Sequence, residues 1–157
     1  MSSKIMPPKI MFVCLGNICR SPTAEGVFRG LAAQAGLDVV IDSSGTSGWH
    51  NGDMPDKRAM AEAKLRGYDL SQQRSTQLKP QDFHDFDLII CMDNSNIEIS
   101  ERSRPEGAKA QVKLFLDYAP NQPLREVPDP YYEHNFEAVF DLIEDASRGL
   151  ITSLKPV

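Results

Sequence analysis

The sequence predicts an α/β domain: an open sheet of four parallel strands with helices on both faces. Three observations predict it. Four short apolar, mostly β-branched runs stand at Lys9 to Cys14, Asp38 to Asp42, Asp87 to Met92 and Gln111 to Phe115, each short enough for a buried strand. Helical patterns fill the intervals, and strands alternating with helices imply βαβ units and a parallel sheet. The 157 residues suit one domain whose core needs neither disulfide nor structural metal. That domain is expected to take in 1–157, with residues 1–8 a loose N-terminal extension.

The elements follow in order. After the first strand, Ala24, Val27, Phe28, Leu31, Ala32 and Ala35 keep the i, i+3, i+4, i+7 spacing of one helix face, and Gly36 stops the helix. Ser21 is expected as its N-cap and Pro22 as its first helical residue, where a missing N–H costs nothing. Glu25 is expected to add a favourable charge in the first turn of the helix. A second helix is expected from about Asp56 to Arg66, ended by Gly67, and a third from about Asn94 to Arg102, ended before Pro105. The last helix is expected to begin near Glu133, with Phe136, Val139, Phe140, Ile143 and Ala146 on one face, and to run past Gly149 toward Leu154. Ligands of such sheets bind at the carboxyl ends of strands, which directs attention to the loops starting at Cys14, Ser43 and Met92.

Composition narrows the function classes. Hydrophobic residues make up 41% and charged residues 25%, the profile of a folded globular chain. Seventeen Lys and Arg against 22 Asp and Glu give a net charge of −5, which argues against nucleic acid or an anionic membrane as partner but allows a small anion pocket. No apolar run approaches the length of about 18 residues needed to span a bilayer, and Ile10 to Val13 follow the helix-hostile pair Pro7-Pro8. Three cysteines are too few for a secreted disulfide framework, so a cytoplasmic address is expected. His50, His84 and His134 lack metal-ligand spacing, so neither metal nor other cofactor is expected.

The chemistry is concentrated in the first loop. Cys14, Leu15, Gly16, Asn17, Ile18, Cys19, Arg20 and Ser21 place a thiol, a guanidinium and a hydroxyl between a strand and a helix start. A loop wrapped over a helix N-terminus points successive N–H groups inward and makes a seat for a phosphate-sized oxyanion. Gly16 and Asn17 best tolerate the positive φ such a loop needs. Arg20 can fork two N–H donors to two oxygens of the anion. It also favours the thiolate of Cys14, the nucleophilic form, and the Ser21 hydroxyl can donate to that sulfur.

Cys14 to Ser21, continued by Pro22-Thr23-Ala24-Glu25, resembles the signature of the low-molecular-weight protein tyrosine phosphatases. Asp42-Ser43-Ser44-Gly45-Thr46-Ser47-Gly48-Trp49-His50, Cys91-Met92-Asp93-Asn94-Ser95-Asn96 and Val127-Pro128-Asp129-Pro130-Tyr131-Tyr132 resemble the family's later segments, in its order and at its usual length. The resemblance implies the strand order 2-1-3-4. It also implies hydrolysis of phosphotyrosine and aryl phosphate monoesters, with Cys14 forming a phosphocysteine, Arg20 and the loop 15–21 holding the phosphoryl group, and Asp129 as general acid. Read without it, Asp129 between two prolines is more readily a stiffened turn aspartate. The resemblance further implies that Trp49 and Tyr131 wall a substrate slot, with capping of the sheet edge the alternative for them and, more readily, for Tyr132. Asn17, Ser21 and Ser43 are implied to support the loop. Cys19 is implied to be a reversible redox partner of Cys14 that protects it from over-oxidation, and is as readily a small buried loop residue.

Two positions depart from the family pattern: Gln72-Gln73 stand where relatives often carry a supporting histidine, with Gln73 a neutral substitute, and Glu133 replaces a glycine after Tyr132, bringing charge near the slot rim. The partners implied are phosphotyrosine-containing proteins, with inorganic phosphate or other oxyanions as inhibitors, and a monomer or weak dimer. An arsenate reductase on the same fold would need two downstream thiols where only Cys91 stands, which most readily belongs to the core. A non-catalytic phosphotyrosine-binding module would be expected to lack the nucleophile or the acid, and both are here.

Overall fold

Alternation along the first strand decides the layering. β1 (Lys9–Cys14) turns Ile10, Phe12 and Cys14 into one buried cluster and Met11 and Val13 into another, as successive side chains on a strand must point to opposite faces. β3 (Leu88–Cys91) divides likewise, with Ile90 in the first cluster and Ile89 and Cys91 in the second. With β2 (Val40–Gly45) and β4 (Gln111–Leu114), they form a parallel sheet in the order β2-β1-β3-β4, the order expected. The computed structural model describes residues 6–155. Of the expected N-terminal extension, residues 1–5 thus lie outside the described residues, while the Pro8 carbonyl accepts the Val40 amide and already belongs to the sheet.

The larger cluster is covered by α1 (Arg20–Gln34), α2 (Lys57–Leu65) and α6 (Phe136–Leu154). Against the smaller one lie Phe83 of the short α3 (Asp82–Asp85) and Ile97 of α4 (Asn94–Arg102). A 3-10 turn (Phe115–Tyr118) follows β4, and a single turn α5 (Pro130–Glu133) precedes α6. Gly149 explains its own place inside α6: a Cβ there would run into the Tyr118 carbonyl, so the helix packs on the 3-10 turn backbone to backbone. Arg66 fastens α2 to α6 through Glu62, Asp141 and Glu144.

Five local expectations are corrected. The second strand begins and ends later than Asp38 to Asp42, because pairing with β1 in the register Lys9↔Val40 to Cys14↔Gly45 carries it through the polar Ser43-Ser44. Ser21 does not cap α1. The N-cap is Cys19, without a side-chain cap bond, and the Ser21 hydroxyl is drawn into the site described below. Glu25 is not in the first turn and turns to Ser43 and Arg29 instead. Gly16 does not take a positive φ, whereas Asn17 does, at 55°. The last helix is broken into α5 and α6 at His134, which has φ 58°. The remaining helix ends hold: Asp56 caps α2 and accepts from the Arg58 amide, and Asp93 caps α4 in a reciprocal box with Asn96.

Candidate active site

The loop between β1 and α1 is shaped by what its carbonyls do. Those of Cys14 and Leu15 accept the Thr46 and Ser47 amides, that of Gly16 accepts the Ser75 hydroxyl, and that of Ile18 accepts the Asp56 amide. With the carbonyls committed outward, N–H groups are what the loop offers to the pocket. The Asn17 amide lies 3.3 Å from Cys14 Sγ. The start of α1, free of any side-chain cap, adds its own orphan N–H groups and the positive end of its dipole.

Asn17 holds the loop from below. Its Nδ2 donates to Ser21 Oγ at 2.7 Å and to Ser43 Oγ at 3.1 Å, while its Oδ1 accepts the Thr76 amide at 3.0 Å. Ser21 Oγ in turn stands 3.0 Å from Cys14 Sγ. The three expected supports are thus brought together. Ser43 also donates to Glu25 at 2.7 Å, a partner the sequence reading did not anticipate, although Glu25 lies four residues after Ser21 and therefore on the same helix face. Gln73 comes within 3.4 Å of Ser43 Oγ through Oε1, and its Nε2 holds the Pro22 carbonyl at 2.9 Å.

Gly45 makes the loop's close approach possible. It pairs with Cys14 across the β1–β2 ladder, and a Cβ on it would come within 2.7 Å of the Leu15 carbonyl oxygen and 3.1 Å of the Asn17 nitrogen. Those are backbone atoms and cannot step aside cheaply. Gly45→Ala is expected to push the loop off Cys14, weakening the binding of a small tetrahedral oxyanion about tenfold or more, with a stability loss of about 1–3 kcal/mol from overpacking. Calorimetric titration with the oxyanion and thermal unfolding check both.

Arg20 is buried under the pocket. Its Nη1 donates to Asp93 at 2.7 Å and to the Val127 carbonyl at 3.1 Å, and its Nη2 lies 3.6 Å from Asp129 Oδ2. Burial works against the charge, yet Cys14, Asp93 and Asp129 together hold the guanidinium above its ordinary pKa. Because Nη1 is taken, the free edge is the Nε/Nη2 side, whose parallel N–H groups match two oxygens of one anion. Asp93 is the partner missed in the sequence. It ends the β3 run and opens α4, the carboxyl edge where ligands gather.

Asp129 caps α5, accepting the Tyr131 amide at 3.0 Å on Oδ1, which leaves Oδ2 toward Arg20. Around it opens a cavity of about 260 Å³ lined by Cys14, the loop residues Leu15, Gly16, Ile18, Cys19 and Arg20, and by Trp49, His50, Tyr131 and Tyr132. Trp49 is 88% exposed and Tyr132 is 73% exposed, so these rings stand at the mouth and do not cap the core. Tyr131 is steadied by the Arg58 guanidinium, 5.4 Å from its ring centre. Glu133 does not line the cavity. His134 meets Arg58, with Nη1 2.7 Å from its Nδ1.

Cys14, Cys19 and Cys91 are all free thiols. Burial, with Asp56 next, pushes the Cys19 thiol far up. Cys91 lies fully buried on the far cluster, its pKa pushed up to about 12 by burial, which suits a core residue and not a relay thiol. Among the described residues no helix is long and apolar enough to cross a membrane.

A family model described as low molecular weight phosphotyrosine protein phosphatase matches residues 9–156. The low molecular weight protein-tyrosine-phosphatase YfkJ of Bacillus subtilis is 40% identical over 148 residues, 93% of this chain and 95% of the relative. Its crystal structure superposes with a TM-score of 0.91, covering 96% of both chains. The low molecular weight phosphotyrosine protein phosphatase of Schizosaccharomyces pombe is 40% identical over 151 residues, 93% of this chain and 96% of the relative. Wzb of Vibrio vulnificus, solved in complex with benzylphosphonate, aligns with a TM-score of 0.82 at 29% identity, over 94% of this chain and 99% of that one.

Proposed function

The chain belongs to the low molecular weight phosphotyrosine protein phosphatase family, and from that premise we propose that Cys14, Arg20 and Asp129 carry the hydrolysis of phosphotyrosine in proteins by two in-line displacements. One observation carries the assignment: Cys14 Sγ lies within hydrogen-bonding reach of Ser21 Oγ and the Asn17 amide, in a cavity that Arg20 and Asp129 also line.

In the first displacement Sγ attacks phosphorus, the bond to the phenolic oxygen breaks, and Asp129 Oδ2 gives its proton to that leaving oxygen. The loop amides and the Nε/Nη2 edge of Arg20 hold the three equatorial oxygens, so most of the acceleration is positioning and charge stabilisation. In the second, water attacks phosphorus, its proton passes to Asp129, and the P–S bond breaks to free phosphate and the Cys14 thiolate. Trp49 and Tyr131, which line the same cavity as Cys14, offer flat apolar walls to an aromatic ring. Inorganic phosphate and similar oxyanions are expected to compete for the loop. The single domain 1–157 would supply the whole site, with Cys19 as a reserve thiol for oxidised Cys14, acting as monomer or weak dimer in the cytoplasm.

The chemistry needs Cys14 ionised while Asp129 is protonated, so the rate against pH is expected to be a bell on the acidic side. Hydrolysis of p-nitrophenyl phosphate from pH 4 to 9 under reducing conditions tests it, with acid-quenched phosphocysteine as the trapped intermediate. A rate still rising at pH 9, or turnover without phosphocysteine, would overturn the mechanism.

A further inference from the structure

We propose that Arg58 is a positioning residue for the aromatic half of the substrate: lying against Tyr131 and joining Asp56 to His134, it holds one wall of the slot in place beside Cys14. The proposal rests on the reading of that cavity as a seat for phosphotyrosine. The segment that carries Tyr131 has little of its own to hold it. α5 spans four residues, and a single helical turn fixes more backbone than its hydrogen bonds repay. Asp129 fastens its start by accepting the Tyr131 amide. At its end His134 takes φ 58° and gives its amide to the Pro130 carbonyl at 2.8 Å. Neither bond reaches the Tyr131 ring, whose neighbour within the turn is Tyr132, edge-on at 5.1 Å and more exposed than Tyr131 itself.

Arg58, from α2, supplies the hold. Its Nε donates to Asp56 Oδ1 at 3.1 Å and its Nη2 to Asp56 Oδ2 at 2.9 Å, a fork on one carboxylate. Its Nη1 lies 2.7 Å from His134 Nδ1. An arginine only donates, so that nitrogen accepts, and the His134 proton sits on Nε2. With all three edges committed, the guanidinium has its faces left for the rings: Cζ is 5.4 Å from the centre of Tyr131 and 4.9 Å from that of Phe136. Phe136 opens α6 and is buried in the larger core cluster. The cation thus ties the slot ring to a ring the core has already fixed, by the attraction between a guanidinium and aromatic faces. An ammonium is a point charge and cannot serve Asp56, His134 and two rings together.

The oxyanion seat does not depend on that side chain. Asp56 reaches the loop through its own amide, which donates to the Ile18 carbonyl at 2.8 Å. Its carboxylate caps α2 by accepting the Arg58 backbone amide at 2.8 Å. Both bonds survive when the guanidinium is removed. Arg58 is therefore expected to act on the part of a ligand that lies between the slot walls and to leave a bare oxyanion unaffected. A cation acting through its charge alone would favour every anion alike, and a lysine would replace it.

The experiment is calorimetric titration with benzylphosphonate, whose P–C bond a phosphate esterase does not hydrolyse, and with inorganic phosphate. Arg58→Met is expected to weaken benzylphosphonate about fivefold and to leave phosphate within about twofold. Arg58→Lys is expected to lose as much. In a Tyr131→Ala background, Arg58→Met is expected to add no further loss, since the two residues act as one wall. Turnover of p-nitrophenyl phosphate is expected to show the same loss in KM, with kcat within about twofold. Equal weakening of both anions, recovery by lysine, or losses that add in the double variant each overturn the proposal. Should Arg58→Met not fold, Arg58→Lys decides, and wild-type affinity for benzylphosphonate overturns it. A wild-type protein that binds benzylphosphonate no more tightly than phosphate overturns it as well. The expected pattern of binding in a protein that hydrolyses no phosphate ester leaves the positioning role standing and removes the phosphatase reading instead.

Discussion

Folded Cys14→Ser protein is expected to release no measurable phosphate from p-nitrophenyl phosphate, a fall of at least about 10⁵-fold in kcat, because removing the nucleophile of a covalent mechanism removes its whole first step. A serine hydroxyl at the same place would accept and donate as the thiol does toward Ser21 and Asn17, so the loop keeps its form. It cannot ionise at acidic pH. Phosphate binding is therefore expected to survive, measurable by calorimetry, while phosphocysteine disappears. Asp129→Ala separates the acid from the nucleophile. It is expected to lose about 10²–10⁴-fold with phenyl phosphate and less with p-nitrophenyl phosphate, whose phenolate departs without a proton. Equal losses on the two esters would remove Asp129 from the acid role.

Arg20→Lys is the second large effect, an expected fall of about 10²–10³-fold in kcat/KM with the charge conserved. The reason is the division of labour within one guanidinium. Nη1 is committed to Asp93 and the Val127 carbonyl, and the Nε/Nη2 edge is free to fork onto the phosphoryl oxygens. An ammonium is a single point and cannot hold α4's N-cap and the substrate at once. A lysine paired to Asp93 leaves the transferring phosphoryl group without its clamp, at a cost comparable to losing an oxyanion donor. Kinetics and a melting curve taken together check this, since a near-normal melt with the rate loss is the expected pair. A kcat/KM within threefold of wild type would show that the loop amides suffice.

Much of the molecule was legible residue by residue. The strand at Lys9 to Cys14 and the helix at Asn94 to Arg102 stand where the patterns put them, because both carry their own local signals of apolar run, cap and breaker. The second strand was misplaced because its last residues, Ser43, Ser44 and Gly45, have no strand propensity and are held extended by pairing with β1. Ser21 was read both as a helix cap and as a support of Cys14, and the fold decides for the second, through the Cys14 sulfur and Asn17. Glu25 looked like a dipole charge and instead turns to Arg29 one turn on and to Ser43, a partner that only the closed fold supplies. His134 in a left-handed conformation likewise breaks the final helix where periodicity alone sees none.

What the sequence by itself determined is a thiol and a guanidinium, Cys14 and Arg20, in one loop between a strand and a helix start, and the alternating runs that demand a parallel α/β sheet. Those follow from residue type and short-range spacing, which the chain carries before it folds. Only the tertiary structure decided that Arg20 divides its two edges between Asp93 and the pocket, that Gly45 must lack a side chain, and that the Thr76 amide orients Asn17 beneath Cys14. Each of these joins residues from separate strands and loops through single atoms at hydrogen-bond distance, and such directions are set by packing, which no local pattern encodes.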